Sequence, residues 1–110
     1  MRISIKQGDT RHAIRAALKT VDDVPVDLNG TKITFKMFNR YEGLVINREA
    51  IYETDGKVHF VFEVNETDKA GMYEAEFEVM YTDGRIETFP HSGKMQIYIE
   101  SRIGGVDNGV

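Results

Sequence analysis

The sequence predicts an all-β chain folded as an antiparallel β-sandwich of about seven to eight strands with no disulfide. Three observations predict it. Apolar and polar residues alternate with period two along most of the chain, and no window carries an apolar stripe at helical spacing. Turn signals, among them Asn29-Gly30, Asp55-Gly56 and Asp83-Gly84, punctuate the alternating runs. Finally, Asp68-Lys69-Ala70-Gly71-Met72-Tyr73 delivers a Tyr from a tight turn straight into a strand. That is the pattern of a tyrosine corner, in which the Tyr opens strand F of an immunoglobulin-like sandwich and its hydroxyl returns a hydrogen bond to the preceding turn. The predicted fold is therefore immunoglobulin-like, with Asp68, Gly71 and Tyr73 as its structural site.

The strands follow in order. Alternation over residues 2–6, 13–19, 32–38, 45–52, 57–64, 72–81, 85–89 and 94–100 predicts eight of them. Side chains two apart share a face, which gathers Ile14, Ala16 and Leu18, then Ile33, Phe35 and Met37, then Val58, Phe60, Phe62 and Val64 on inward sides. The same rule turns inward Tyr73, Ala75, Phe77, Val79 and Tyr81 from the long strand, and Met95, Ile97 and Ile99 from the last. Opposite faces carry Lys32 and Lys36, Glu74, Glu76 and Glu78, and Lys94 and Glu100, the composition of a solvated outer surface. A two-residue loop at Asp83-Gly84 would pair Tyr81 with Ile86 and Val79 with Thr88, matching apolar sides. At Asp55-Gly56 two loops compete: a two-residue loop sets Glu53 opposite Val58, a three-residue loop sets Tyr52 there. Residues 22–25, ending in Pro25, supply one more turn.

One domain accounts for the chain, with the sandwich over residues 1–100 and a glycine-containing tail or linker over 101–110 where alternation ends. Hydrophobic residues make up 41% and charged residues 29%, the balance of a folded globular domain. Against 14 Lys and Arg stand 18 Asp and Glu, and a net charge of −4 argues against binding nucleic acid by phosphate neutralisation. With no Cys, the core is built without disulfides or thiolate metal sites. The first residues alternate and lack the apolar stretch of a signal peptide, and no apolar run approaches the roughly 20 residues of a membrane-spanning helix. Neither nucleic acid nor a membrane is expected as a partner.

No chemistry-bearing pattern stands out. His12, His59 and His91 are far apart and fit no zinc spacing, and the acidic run at Glu74, Glu76 and Glu78 lies along one strand, which cannot surround a cation. There is no Gly-x-Ser-x-Gly elbow, no nucleophile beside a base, and no glycine-rich loop opening a helix. The reading is of a non-enzymatic protein with no catalytic residues, no metal and no cofactor. Phe38, Tyr41, Phe89 and Tyr98 fall outside the assigned core faces and are the candidate interaction surface. An alternative is a carbohydrate or cell-surface binding module, with Tyr41, Tyr52 and Tyr98 as the sugar-binding aromatics.

Three stretches carry a resemblance: residues 5–11 (IKQGDTR), 26–30 (VDLNG), and 67–79 (TDKAGMYEAEFEV) leading into 83–90 (DGRIETFP). Together, over about residues 3–100, they resemble small immunoglobulin-like proteins of tailed bacteriophages and prophages, relatives of the N-terminal domain of upper baseplate proteins. The resemblance implies a virion structural module of the tail or baseplate region, made in the bacterial cytoplasm, that holds other virion proteins or its own copies. The chain departs from that pattern at His12, where Pro is usual, and at His91-Ser92-Gly93, where Asn-Asp-Gly is common. Ala75 stands two residues beyond the corner Tyr, where antibody-type domains carry a Cys, which favours a phage or bacterial sandwich over a secreted receptor domain.

Overall fold

A computed structural model describes residues 2–104, and among them the chain is all-β, with nine strands and no helix. They are β1 (Arg2–Lys6), β2 (Ala13–Ala17), β3 (Lys32–Asn39), β4 (Gly43–Glu49), β5 (Ile51–Tyr52), β6 (Lys57–Val61), β7 (Gly71–Met80), β8 (Ile86–Phe89) and β9 (Met95–Glu100). A large sheet runs β1-β9-β7-β3-β4, with β8 pairing the far half of β7, and a small sheet runs β2-β6-β5. The sheets pack face to face as a sandwich. One pairing departs from the antiparallel expectation: β1 lies parallel to β9. Nearly the whole chain connects these two strands, so no tight hairpin constrains their direction.

The core is the inward alternation of both sheets. Ile33, Phe35 and Met37 of β3, Tyr73, Ala75, Phe77 and Val79 of β7, and Met95, Ile97 and Ile99 of β9 are buried, facing Ile14, Leu18, Val58, Phe60 and Phe62. Phe35 stacks on Phe60 across the sheets with ring centroids 4.2 Å apart, and Phe62 and Phe77 lie 6.4 and 5.3 Å from Phe35. Each such ring contributes roughly 1.5–3 kcal/mol by burial, and each pair about 0.5–1.5 kcal/mol more.

Three sequence expectations are corrected. The run 45–52 is two strands in different sheets: Glu49 pairs with Thr34 of β3, whereas Ile51 pairs with His59 of β6. The chain crosses at buried Ala50, whose N–H donates to Ile33 O at 2.8 Å. Secondly, β6 stops at Val61 and Val64 is exposed. There the Glu66 carboxylate accepts from Glu63 N–H at 2.6 Å and Asn65 adopts φ 78°, turning the chain back before the alternation runs out. Thirdly, the β7–β8 hairpin has a three-residue loop. Tyr81 N–H donates to Arg85 O, and Met80 pairs with Ile86, Val79 with Glu87 and Phe77 with Phe89. That one-residue shift reverses the faces of β8, burying Phe89 against the core and exposing Ile86. Gly84 at φ 85° closes the loop in a conformation glycine adopts freely.

The loop at residues 54–56 is likewise three residues long, with Tyr52 opposite Val58 and Glu53 N–H donating to Lys57 O. Gly56 there is buried, at φ 74°, and its carbonyl accepts from Leu18 N–H at 2.7 Å. A Cβ at this position would stand 2.6 Å from Leu18 O and 2.9 Å from Val26 N. Arg48 of β4 braces the two sheets: its guanidinium lies 4.4 Å from the Phe60 ring centroid, makes a two-point hydrogen bond with Glu66 at 3.0 and 2.6 Å, and donates to Val61 O. The acceptor Glu66 and the flanking Glu63 hold the guanidinium pKa above its ordinary value.

Beyond β9, Arg102 pairs with Asp9 at 3.0 Å, and residues 105–110 of the expected tail or linker lie outside the described residues. No helix long and apolar enough to cross a membrane occurs among the described residues.

Gly56→Ala should cost about 2 kcal/mol or more, because a positive φ and a backbone clash act together; urea unfolding measures it, and a loss under half that value contradicts the close approach. Tyr81 gives a pH signature. Burial and its hydrogen bond to Glu87 push its phenol up to about 12, above the unfolded value of about 10. The fold retains a proton that the unfolded chain releases, so this stabilisation is complete below about pH 10 and declines as pH rises toward the folded pKa. Tyr81→Phe should flatten that decline in unfolding curves taken across this range; equal slopes in both proteins would refute the assignment.

Candidate interaction surface

At one end of the sandwich, residues 67–73 turn into β7. Gly71 begins the strand at φ 151°, and Tyr73, buried within the core, donates its hydroxyl hydrogen to Lys69 O at 2.7 Å. Burial, and then the nearby Glu42 charge, push the Tyr73 phenol pKa up. The turn is also held from the start of the chain: buried Gln7 donates its side-chain N–H to Asp68 O at 2.7 Å, Gly8 N–H donates to Thr67 O, and Thr67 Oγ1 donates to Asp9 O. Two stretches that are sixty residues apart in the sequence thus meet backbone to backbone.

The same turn places the β3–β4 loop. Lys69 pairs with Glu42, and Asn39 donates from Nδ2 to Met72 O while its Oδ1 accepts from Tyr41 N–H at 2.8 Å and Glu42 N–H at 3.3 Å. Tyr41 is 87% exposed on this loop. Between loop and corner lies a groove of about 590 Å³, whose lining includes Phe38, Arg40, Tyr41, Met72 and Gln96. Cross-strand pairing continues the apolar surface outward, Phe38 opposite Leu44 and Met72 opposite Tyr98, with the Arg2 guanidinium 5.2 Å from the Tyr98 ring. Phe38, Leu44 and Met72 are all exposed, whereas Tyr98 is half-buried.

Of the four aromatics singled out in the sequence, Phe38 and Tyr41 therefore come together and Tyr98 adjoins them. Phe89 does not: it is buried beside Phe77, for the reason of register given above. The three candidate sugar-binding tyrosines do not converge either, since Tyr52 is on the small sheet, half-buried against the core. Alternation alone hid Leu44 and Val45. The register slips between Met37 and Phe38, so that Met37 pairs with Ile46 and Phe38 with Leu44, leaving Val45 unpaired and both apolar residues exposed. Met72, next to the corner Tyr, carries no signal of exposure in the sequence beyond its place on the outward side of β7. Elsewhere on this face Lys36 donates to Glu78 at 2.8 Å, and no group of three or more His, Asp or Glu able to hold a metal ion occurs among the described residues.

A family model described as the BppU N-terminal domain matches residues 1–97. The chain belongs to that family. BppU is a baseplate upper protein, so the chain is related to phage baseplate components. The match to the BppU N-terminal domain family takes in β1 through the first half of β9, including the corner, the residue 7–9 segment that braces it and the β3–β4 loop. No curated protein matches the chain. Among solved structures the chain is similar to CopC from Methylosinus trichosporium OB3b, at 15% identity over 91% of this chain and 86% of that one, with a TM-score of 0.51. At that identity the likeness shows a shared fold alone.

Tyr73→Phe keeps the ring but leaves the Lys69 carbonyl without its hydroxyl donor, and should cost about 1–3 kcal/mol. Chemical denaturation measures the difference; a change near zero would mean that the hydroxyl contributes nothing to the turn.

Proposed function

We propose that this chain is a non-enzymatic structural module of a phage or prophage virion, in the tail or baseplate region, that works by binding other virion proteins or its own copies. The family match across residues 1–97 carries this reading. The exposed apolar end of the large sheet supports it further. Tyr41, Phe38, Leu44 and Met72 present side chains of the types that anchor protein interfaces, around a groove held by the corner and the residues braced against it. Tyr98 with Arg2 extends the same surface, and the charged rows of Lys36, Glu76 and Glu78 border it as a polar rim. In this reading the protein is made in the bacterial cytoplasm and ends in the particle, without nucleic acid, membrane or cofactor as a partner.

Size-exclusion chromatography with light scattering, and pull-downs with products of neighbouring genes, should show self-association or capture of a tail or baseplate protein. Tyr41→Asp combined with Leu44→Asp should weaken that association by about tenfold or more while leaving the thermal midpoint unchanged, since both side chains are exposed. A strict monomer that captures none of these proteins would sink the proposal.

A further inference from the structure

The small sheet ends on one flank in β2, whose outer edge no other strand among the described residues pairs. Leu18 N–H donates to Gly56 O on the β6 side. By strand alternation Ile14 and Ala16 also direct their backbone groups toward β6, while Ala13, Arg15 and Ala17 direct theirs to the free edge. Beside this edge, between β2 and the β8–β9 corner, lies a groove of about 490 Å³ whose apolar lining includes Ala16, Leu18, Phe77, Phe89, Pro90 and Met95. Its remaining polar lining is Arg15, Lys19 and His91, with no carboxylate among the lining residues.

We propose that this flank binds an extended segment of another protein as a fourth strand of the small sheet, and that the segment reads apolar–acidic–apolar. The free backbone groups of Ala13, Arg15 and Ala17 supply the ladder. Arg15 is exposed on the outer face, where its strand neighbour is His59, so the residue paired with it on an added strand lies beside a guanidinium and is best a carboxylate. The residues on either side of that one turn inward, beside Ala16 and into the groove between the sheets, and are best apolar. The present partners of the two rim cations do not block this. Arg15 meets Glu53 and Lys19 meets Asp23 at 3.5 Å with substantially exposed side chains, and such long surface pairs are worth little. His91 is engaged with Glu87 at 2.7 Å and is left as it stands. A second copy of β2 is the wrong occupant: an antiparallel pairing centred on Arg15 would oppose two guanidinium groups. The large sheet's β4 edge carries the register slip beside Leu44 and Val45, which disrupts a regular ladder. The β2 flank shares no lining residue with the groove around Tyr41.

The test pans the immobilised full chain against a displayed library of random nonapeptides. Enriched peptides should alternate apolar residues around a central Asp or Glu, and synthetic copies should slow amide hydrogen exchange at Arg15 and Ala17 on binding. Ala17→Pro removes one edge donor at a position where an edge strand tolerates Pro, and Arg15→Glu reverses the outer charge. Each should weaken binding by about tenfold or more without moving the thermal midpoint, and peptides with a central Lys should recover affinity for Arg15→Glu. Tyr41→Asp should leave peptide binding unchanged. Should Ala17→Pro fold poorly, the charge swap at Arg15 decides. Failure to enrich any peptide, enrichment without alternation or with a basic centre, or binding indifferent to Arg15→Glu would overturn the proposal.

Discussion

The stack of Phe35 on Phe60, one ring from each sheet, is the contact on which the rest of the structure depends. Without cysteines no disulfide ties the two sheets together, so their separation and registry rest on interlocking side chains. Phe62 and Phe77 pack around the pair, edge-on and tilted, and Arg48 lies over the Phe60 ring while holding the 63–66 turn through Glu66. The inward set of every strand follows from that centre. So does the crossing at Ala50, which carries the chain from β4 in one sheet to β5 in the other.

The tyrosine corner acts at the end of the sandwich, outside that cluster. Its hydroxyl stabilises the turn by closing a local ring to Lys69, but its wider consequence is positional. Lys69 reaches Glu42, Asn39 reaches Met72, and Gln7 and Thr67 tie the first connection to the turn, so three separate loops become one unit. A surface built from loops alone would lose affinity to the ordering of those loops on binding; here the backbone contacts supply the order beforehand. The exposed aromatic and aliphatic side chains at this end stand on that support.

The unequal width of the two sheets shapes the remaining surface. Five strands in line form one sheet and three the other, and a groove lies between the small sheet's edge strand β2 and the large sheet at β8 and β9. Buried Phe89 and Met95 line this groove, and the Tyr81–Glu87–His91 chain of hydrogen bonds leads to it through His91. The groove on that flank is a product of topology, its lining drawn from β2, β7, β8, β9 and the turns beside them.

The class of fold, the positions of most strands, the inward faces of β3, β7 and β9, and the turn before Tyr73 were legible in the sequence because period-two burial and turn residues are local signals. Family membership was legible for the same reason, being carried by contiguous stretches. What only the tertiary structure decided were events of a single residue: the three-residue loop at Thr82-Asp83-Gly84, the slip between Met37 and Phe38, and the crossing at Ala50. Each is nearly invisible in an alternating pattern, because shifting a strand by one position preserves the alternation while exchanging its faces. Packing against a partner strand makes that choice. It buried Phe89, exposed Leu44 and Val45, and thereby determined which side chains are left on the surface.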